Sequence, residues 1–176
     1  MVRGVPALVF RAAQPDDAVE IATLRAAAAR DLVARFGPGP WGSECTERGV
    51  LAGYRLSTVI VAFVGGTPVG TFRVTSRKPW AIDRTLFTPA KRPLYLTDMA
   101  VHPDFQRQGI GRALLAEAIR VAQAFPADAI WLDAYDAAAG AAPFYAASGF
   151  RECARRPYRG TPLVYFEHPV PPPAAV

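Results

Sequence analysis

The sequence predicts an α/β protein in which helices flank a single mixed sheet. Of its 176 residues 51% are hydrophobic, so one domain can bury a substantial core without disulfides or metals. Runs rich in β-branched residues and segments of helical periodicity follow one another in the order βααββ and then βαβαββ. No internal repeat interrupts this order, so each element can be assigned in turn.

The first third of the chain predicts one strand and two helices. Residues 7–13 have strand character, and Pro15 with the two aspartates after it suits a helix N-terminus. Apolar side chains then recur at helical spacing, at Ile21, Leu24, Ala28 and Leu32. Glycine and proline end this helix within residues 36–40, and Ser43 is the expected cap of a second helix over residues 44–51.

A β-hairpin and a long connection come next. Residues 57–64 are continuous and β-branched, Gly65 and Gly66 make the turn, and residues 69–75 return. Residues 77–92 are polar and aromatic with several prolines, and they predict an irregular connection of the kind that often carries function.

The second half alternates strands with helices. Strands are predicted over residues 94–101, 129–134, 151–156 and 163–168, and helices over residues 109–124 and 141–147. Leu114 and Ala118 supply the apolar face of the longer helix, and Gly149 stops the shorter one. Residues 1–168 therefore form one predicted domain, and the proline-rich residues 169–176 form a tail without stable structure.

Composition excludes several classes of protein. No apolar run approaches the roughly 18 residues of a membrane span, and the chain start lacks a signal-type stretch, so we expect a cytoplasmic protein without membrane contact. Cys45 and Cys153 are far apart, without a CxxC pair or clustered histidines, which predicts no metal site and no disulfide. The net charge of +5 is spread along the chain; it argues against nucleic acid and suits either a polyanionic small molecule or a solvated basic surface.

Two glycines, Gly109 and Gly111, lie in the stretch DFQRQGIGR at the start of a predicted helix. A P-loop is excluded because Arg112 and Ala113 replace its lysine and hydroxyl residue, and a dinucleotide fingerprint lacks its third glycine at Leu114. A tight turn remains as the purely structural alternative. Because the first amides of a helix are unpaired and partly positive, glycines here let a diphosphate approach the backbone.

Three segments resemble the GNAT superfamily of acyl-CoA N-acyltransferases. Residues 106–111, QRQGIG, match its Q/R-x-x-G-x-G/A signature, and residues 99–103 resemble its passage from strand to loop. Residues 144–150, FYAASGF, are similar to its FYxxxGF segment. The resemblance covers the whole order of elements, is strongest over residues 94–150, and implies a mixed, mostly antiparallel sheet of about seven strands with about four helices.

The resemblance implies acetyl-CoA as cosubstrate. Its diphosphate would lie on the loop formed by Gln106, Arg107, Gln108, Gly109, Ile110, Gly111 and Arg112. Arg107 and Arg112 would add positive charge at the rim, although both also suit a solvated surface. The pantetheine arm would run beside the fourth strand and use backbone groups of Met99, Ala100 and Val101. One family contact is missing, because Ala138 stands where many relatives carry a cofactor-binding asparagine.

Catalytic roles follow from the resemblance and from the chemistry of acyl transfer, which needs a neutral amine, a stabilised oxyanion and a proton for the departing thiolate. Tyr145 matches the family's proton donor, with core packing as its structural alternative. A backbone amide within residues 99–101 would polarise the thioester carbonyl. As base or amine anchor we predict Asp98, with Asp133, Asp136 and water as alternatives.

We therefore expect an N-acetyltransferase that moves acetyl from acetyl-CoA directly to a primary amine of a small molecule or peptide. The alternative is a non-catalytic acyl-CoA-binding or regulatory module of the same fold. By family analogy the acceptor site comprises residues 30–44 and 77–92, which contain Trp41, Trp80 and Phe87. The sequence determines neither the acceptor nor the oligomeric state, and a homodimer is one state that it allows.

Overall fold

The fold is a seven-stranded sheet with helices on both faces, seen in a computed structural model that describes residues 7–172. The strands are β1 Val9–Ala12, β2 Thr58–Val64, β3 Thr67–Thr75, β4 Pro93–Val101, β5 Ala129–Tyr135, β6 Arg151–Tyr158 and β7 Thr161–Pro169. The α-helices are α1 Ala18–Phe36, α2 Glu47–Tyr54, α3 Ile110–Ala124 and α4 Ala142–Ala147. This is the predicted order of elements. Among the described residues, no helix is both long and apolar enough to cross a membrane.

The strands lie in the spatial order β1-β2-β3-β4-β5-β7-β6. β4 and β5 run parallel, and every other neighbouring pair in the sheet is antiparallel. The predicted mixed, mostly antiparallel sheet is thus confirmed. Gly65 and Gly66 turn the β2–β3 hairpin with φ angles of 55° and 83°, which are typical of a tight hairpin turn.

The two faces of the sheet build separate cores. α3 and α4 cover one face, where the largest buried side chains include Phe72 and Phe166. α1 and α2 cover part of the other face around Ile21 and Val50. The connection after β3 covers the rest of that face around Trp131. The second face is therefore divided, and a polar region lies between its two apolar clusters.

The second helix begins later than the sequence predicts. Ser43 is not its cap; instead the Thr46 hydroxyl accepts a hydrogen bond from the Gly49 amide at 3.2 Å, and the helix continues to Tyr54. A side-chain oxygen at this position satisfies one of the amides that a helix start leaves unpaired. The later start buries Val50 against the sheet, so packing selects this position of the helix over the earlier one.

The last strand extends beyond its predicted end. β7 includes Pro169, which lies opposite Ala129. Val170 is buried and donates its amide to the Asp128 carbonyl oxygen at 3.1 Å. The first residues of the predicted tail therefore make sheet and core contacts, and residues 173–176 lie outside the described part of the chain.

β4 and β5 separate partway along their length. Their pairing is limited to three residues of β4, Pro93, Leu94 and Tyr95. Beyond them β4 contains a bulge, in which Asp98 and Met99 lie between the paired positions Thr97 and Ala100, and Asp98 adopts a left-handed φ of 53°. Bulges bend a strand and redirect its side chains. This bulge therefore marks the opening between β4 and β5 where the candidate site lies.

Candidate active site

A run of free backbone amides precedes and begins α3. From Arg107 to Arg112, no backbone amide donates a hydrogen bond to a described residue; the first helical bond of this turn runs from Ala113 to the Gly109 carbonyl at 3.1 Å. Such amides, at the positive end of a helix dipole, bind anions. Arg107 and Arg112 are both exposed at this loop. The loop can hold a diphosphate, as the sequence predicts.

The two positions of the motif require glycine for different structural reasons. Gly109 is the N-cap of α3 with a φ of 84°, a left-handed conformation that glycine adopts without strain. Gly111 lies in the helix, where a Cβ atom would come within 3.2 Å of the Phe144 ring. The sequence explained both glycines by the approach of a ligand, but Gly111 also has an internal reason, namely the close packing of α3 on α4.

Side chains of the loop hold it against β4. The Gln106 amide donates to the Val101 carbonyl oxygen at 3.2 Å, and the Gln108 amide donates to the Asp104 carbonyl oxygen at 3.1 Å. His102 Nδ1 accepts from the Asp104 amide at 3.3 Å, so this histidine caps a short turn. These bonds fix the conformation of the loop. The side-chain amides of Gln106 and Gln108 therefore bond to backbone carbonyl groups of the protein.

Tyr145 lies at the junction of α4 with the opening. Its side chain is buried among aromatic rings, and its hydroxyl points to Met99 Sδ on β4 at 3.8 Å. Burial raises the pKa of the Tyr145 hydroxyl, and the charge of Asp133 raises it further. A phenol with a raised pKa stays protonated at neutral pH, which suits a proton donor. Tyr145 packs among these rings and also faces β4, and its role as proton donor stays a prediction.

Asp98 projects from the bulge into a group of arginines. Its Oδ2 lies 2.9 Å from Arg73 Nε and 3.8 Å from Arg25 Nη1. Arg73 Nε also donates to Thr97 Oγ1 at 3.0 Å. Two guanidinium groups therefore approach one carboxylate oxygen. Asp98, the base predicted from the sequence, is thus already engaged with protein partners.

Asp133 is on β5, on the other side of the opening. Among the described residues, no cationic side chain forms an ion pair with its carboxylate, and the residue is partly buried. Burial raises the pKa of the Asp133 carboxyl, and the charge of Asp98 adds to this effect. A largely buried carboxylate without a cationic partner is a stronger base than an ion-paired one. Asp136, the other alternative, is ion-paired to Arg155 at 2.6 Å.

The predicted acceptor loops contribute unequally to the cleft. Trp41 packs edge-on against Tyr135 with ring centroids 6.0 Å apart, and the Tyr135 hydroxyl donates to the Pro40 carbonyl oxygen at 3.1 Å. Phe87 instead stacks on buried Trp131, with centroids 4.5 Å apart. Trp80 is 86% exposed. The loop after α1 therefore reaches the end of β5, whereas Phe87 is a core residue and not an acceptor contact.

Sequence reasoning missed the two arginines beside Asp98. Arg25 follows Leu24 and lies four residues after Ile21, so it falls on the apolar face of α1. Arg73 lies between Thr71 and Thr75 on β3, and residues two apart in a strand face the same side, here the side that carries α1 and α2. A charged residue on the apolar face of a helix is a signal that could have identified Arg25.

A free-amide loop at a helix start, a gap between two parallel strands and a tyrosine at that gap together define a candidate acyl-CoA-dependent transferase. The comparison with protein families agrees, because the Acetyltransferase (GNAT) family matches residues 26–150. This match spans more than half of the chain, and the protein belongs to that family. The resemblance noted in the sequence is thereby confirmed.

Characterised proteins and solved structures extend the likeness. The chain is 40% identical over 67 residues to the [ribosomal protein bS18]-alanine N-acetyltransferase of Escherichia coli strain K12, a stretch covering 38% of this chain and 45% of that enzyme. The chain thus matches less than half the length of this curated relative. A GCN5-related N-acetyltransferase structure from Rhodopseudomonas palustris has a TM-score of 0.70 at 23% identity, covering 96% of this chain and 98% of that one. The PaiA N-acetyltransferase of Thermoplasma acidophilum, solved with coenzyme A, has a TM-score of 0.70 at 13% identity and covers 92% and 99%.

Proposed function

We propose that this protein is an N-acetyltransferase that moves acetyl from acetyl-CoA directly to a primary amine. The observation that carries the proposal is the continuity of the free amides at residues 107–112 with the opening between β4 and β5, where the Tyr145 hydroxyl faces Met99. Membership of the GNAT family and the coenzyme A bound to the Thermoplasma relative support acetyl-CoA as the cosubstrate. As an enzyme of acetyl-CoA metabolism it would act in the cytoplasm.

The diphosphate of the cosubstrate would bind the loop of residues 106–112 through the free amides of residues 107–112, with Arg107 and Arg112 at the rim. The pantetheine arm would enter the opening and pair with β4 backbone groups near Met99, Ala100 and Val101, which have no β5 partner beyond Tyr95. Unpaired edges of this kind accept an extended ligand as an additional strand. The thioester would then lie beside the bulge.

In the reaction the neutral amine attacks the thioester carbonyl, forming the amide bond as the carbon–sulfur bond breaks. A β4 backbone amide at residues 99–101 would stabilise the oxyanion, and Tyr145 would give its proton to the departing thiolate. Asp133 would accept the proton that the amine loses, directly or through water. We assign this step to Asp133 in preference to Asp98, because Asp98 is engaged by Arg73 and Arg25.

The acceptor would be a small molecule or a peptide. The Escherichia coli relative is named for an alanine of a ribosomal protein, which supports including peptide N-termini among the candidates. The test is thiol release from acetyl-CoA by the purified protein with a panel of amino acids, peptides, aminoglycosides and polyamines. Transfer to at least one amine, reduced in Tyr145→Phe, is expected. Binding of coenzyme A without transfer to any amine would favour the alternative, a non-catalytic acyl-CoA-binding module.

A further inference from the structure

Arg25 is a buried arginine with unused hydrogen-bond donors. Its side chain is 13% exposed, and neither Nε nor Nη2 has a partner among the described residues. Its nearest charged group, Asp98 Oδ2, is 3.8 Å from Nη1, which is too far for a good hydrogen bond. Leaving buried donors unpaired costs about 1–3 kcal/mol each, so such groups need a reason.

Arg73, on β3, contacts the same carboxylate, and only some of its hydrogen-bond donors have partners among the described residues. Its Nε donates a hydrogen bond to Thr97 and forms an ion pair with Asp98, but its two Nη groups donate to no described residue, and its side chain is 30% exposed. Gly53 of α2 leaves room for the guanidinium, because a Cβ atom there would lie 3.2 Å from Arg73 Nη1. Within ion-pair distance, two guanidinium groups thus share one carboxylate among the described residues.

This cluster adjoins the place where transfer would occur. Asp98, which both arginines approach, is the bulge residue beside the opening and its side chain is 41% exposed. Its charge also acts on Asp133 across the opening. On neighbouring α2, the Tyr54 hydroxyl is likewise buried without a partner. Unused donors therefore concentrate on the face of the sheet that carries α1 and α2.

We propose that Arg25 and Arg73 bind a carboxylate of the acceptor, so that the acceptor is an amine that carries a carboxylate, such as an amino acid. This inference rests on the proposed function and specifies the substrate class of the same site. Paired guanidinium donors match the geometry of a carboxylate, and an anion neutralises their excess charge. The Asp98 side chain, which is 41% exposed, marks the place where the acceptor carboxylate would meet the two guanidinium groups. A polyamine is rejected by the same two charges.

The first experiment compares matched acceptors. Acetyl transfer is measured for a set of amino acids and for the amide of each, in which the carboxylate is replaced by a neutral group of similar size. The acids are expected to exceed their amides by about 10- to 100-fold in kcat/KM, and Arg25→Gln is expected to abolish this preference. Arg48→Gln is the control, since Arg48 is exposed on α2 and makes no ion pair among the described residues.

A second readout does not depend on activity. Millimolar succinate is expected to raise the melting temperature of the wild type and of Arg48→Gln but not of Arg25→Gln, whereas neutral succinamide raises none, and sodium chloride controls for ionic strength. If Arg25→Gln does not fold, Arg25→Lys is the second variant, because it keeps the positive charge without the paired guanidinium donors. It should reduce both the preference for acids over amides and the succinate-induced rise in melting temperature.

The outcomes separate the two proposals. Equal transfer to acids and amides, or a preference that survives in Arg25→Gln, overturns the carboxylate site while leaving the acetyltransferase intact. If no amine is acetylated, the proposed function fails, and the succinate shift still decides the site: its loss in Arg25→Gln supports the arginine pair, and its absence in the wild type overturns it.

Discussion

Backbone amides make the proposed cofactor half of the cleft, whereas side chains from distant elements make its proposed acceptor half. In the loop before α3, consecutive residues 107–112 present their amides together because one local turn, with left-handed Arg107 and Gly109, directs them. In the acceptor half, Arg25, Arg73 and Asp98 come from a helix and two strands. The first kind of site can be recognised in a short motif. The second can vary with the substrate while the motif stays the same.

Removing the Tyr145 hydroxyl should have the largest effect, because in the proposed reaction that group gives its proton to the departing thiolate. We expect Tyr145→Phe to lower turnover by about 10- to 1,000-fold while coenzyme A affinity changes little. Steady-state kinetics and calorimetric titration check this. Tyr158→Phe is a matched control, since Tyr158 packs beneath the connection after β3, away from the opening. Equal turnover in wild type and Tyr145→Phe would reduce Tyr145 to a packing residue.

The two carboxylates at the opening should behave differently. We expect Asp133→Asn to lower kcat by about 10- to 100-fold, and Asp98→Asn to act mainly through the acceptor KM because it frees the arginines. Only ionised Asp133 accepts a proton, so wild-type activity should fall as pH decreases through its raised pKa. That acidic limb should disappear in Asp133→Asn. If it persists there and disappears in Asp98→Asn instead, Asp98 is the base, as first predicted.

The diphosphate loop gives a comparison between two glycines of nearly equal backbone geometry. Gly109 and Gly66 have φ angles of 84° and 83°, but only Gly109 lies in the loop. Both Gly109→Val and Gly66→Val should lose roughly 1–2 kcal/mol of stability from the left-handed conformation. Gly109→Val alone should weaken coenzyme A binding, by about tenfold or more. Equal coenzyme A affinity in the two folded variants would refute the loop as the diphosphate site.

The start of α2 should give the smallest effect, and it concerns the acceptor half alone. Thr46→Ala removes the helix cap and should lower the free energy of unfolding by about 1 kcal/mol, whereas Ser43→Ala should leave it unchanged. Chemical denaturation of both variants measures this difference. Coenzyme A affinity should stay at the wild-type value in each, because α2 lies on the opposite face of the sheet from α3. The reverse order of stabilities would restore Ser43 as the cap.

The order of elements and the loop at residues 106–112 could be predicted because both depend on neighbours in the chain. Periodicity identified α3, and the glycine pair marked its free amides. The start of α2 could not be found in this way. Ser43 and Thr46 are both good caps, and the choice between them depends on which frame buries Val50 against a sheet formed by later residues.

The role of each acidic residue required the assembled fold. Asp98 and Asp133 look equivalent in sequence, since each lies in a strand among apolar neighbours. The arginines that form ion pairs with Asp98 come from α1 and β3, whereas no described cationic side chain pairs with Asp133. Electrostatic environment, not residue type, therefore distinguishes an ion-paired carboxylate from a candidate base.

The sequence by itself determined the seven-strand, four-helix order and the turn of free amides before α3, because hydrogen bonding within a helix or turn involves residues a few positions apart. Only the tertiary structure decided the separation of β4 from β5, the packing of Phe144 on Gly111 and the arginine pair beside Asp98. Those features join segments far apart in the chain. Their energies depend on distance and burial, and neither exists until the sheet has brought the segments together.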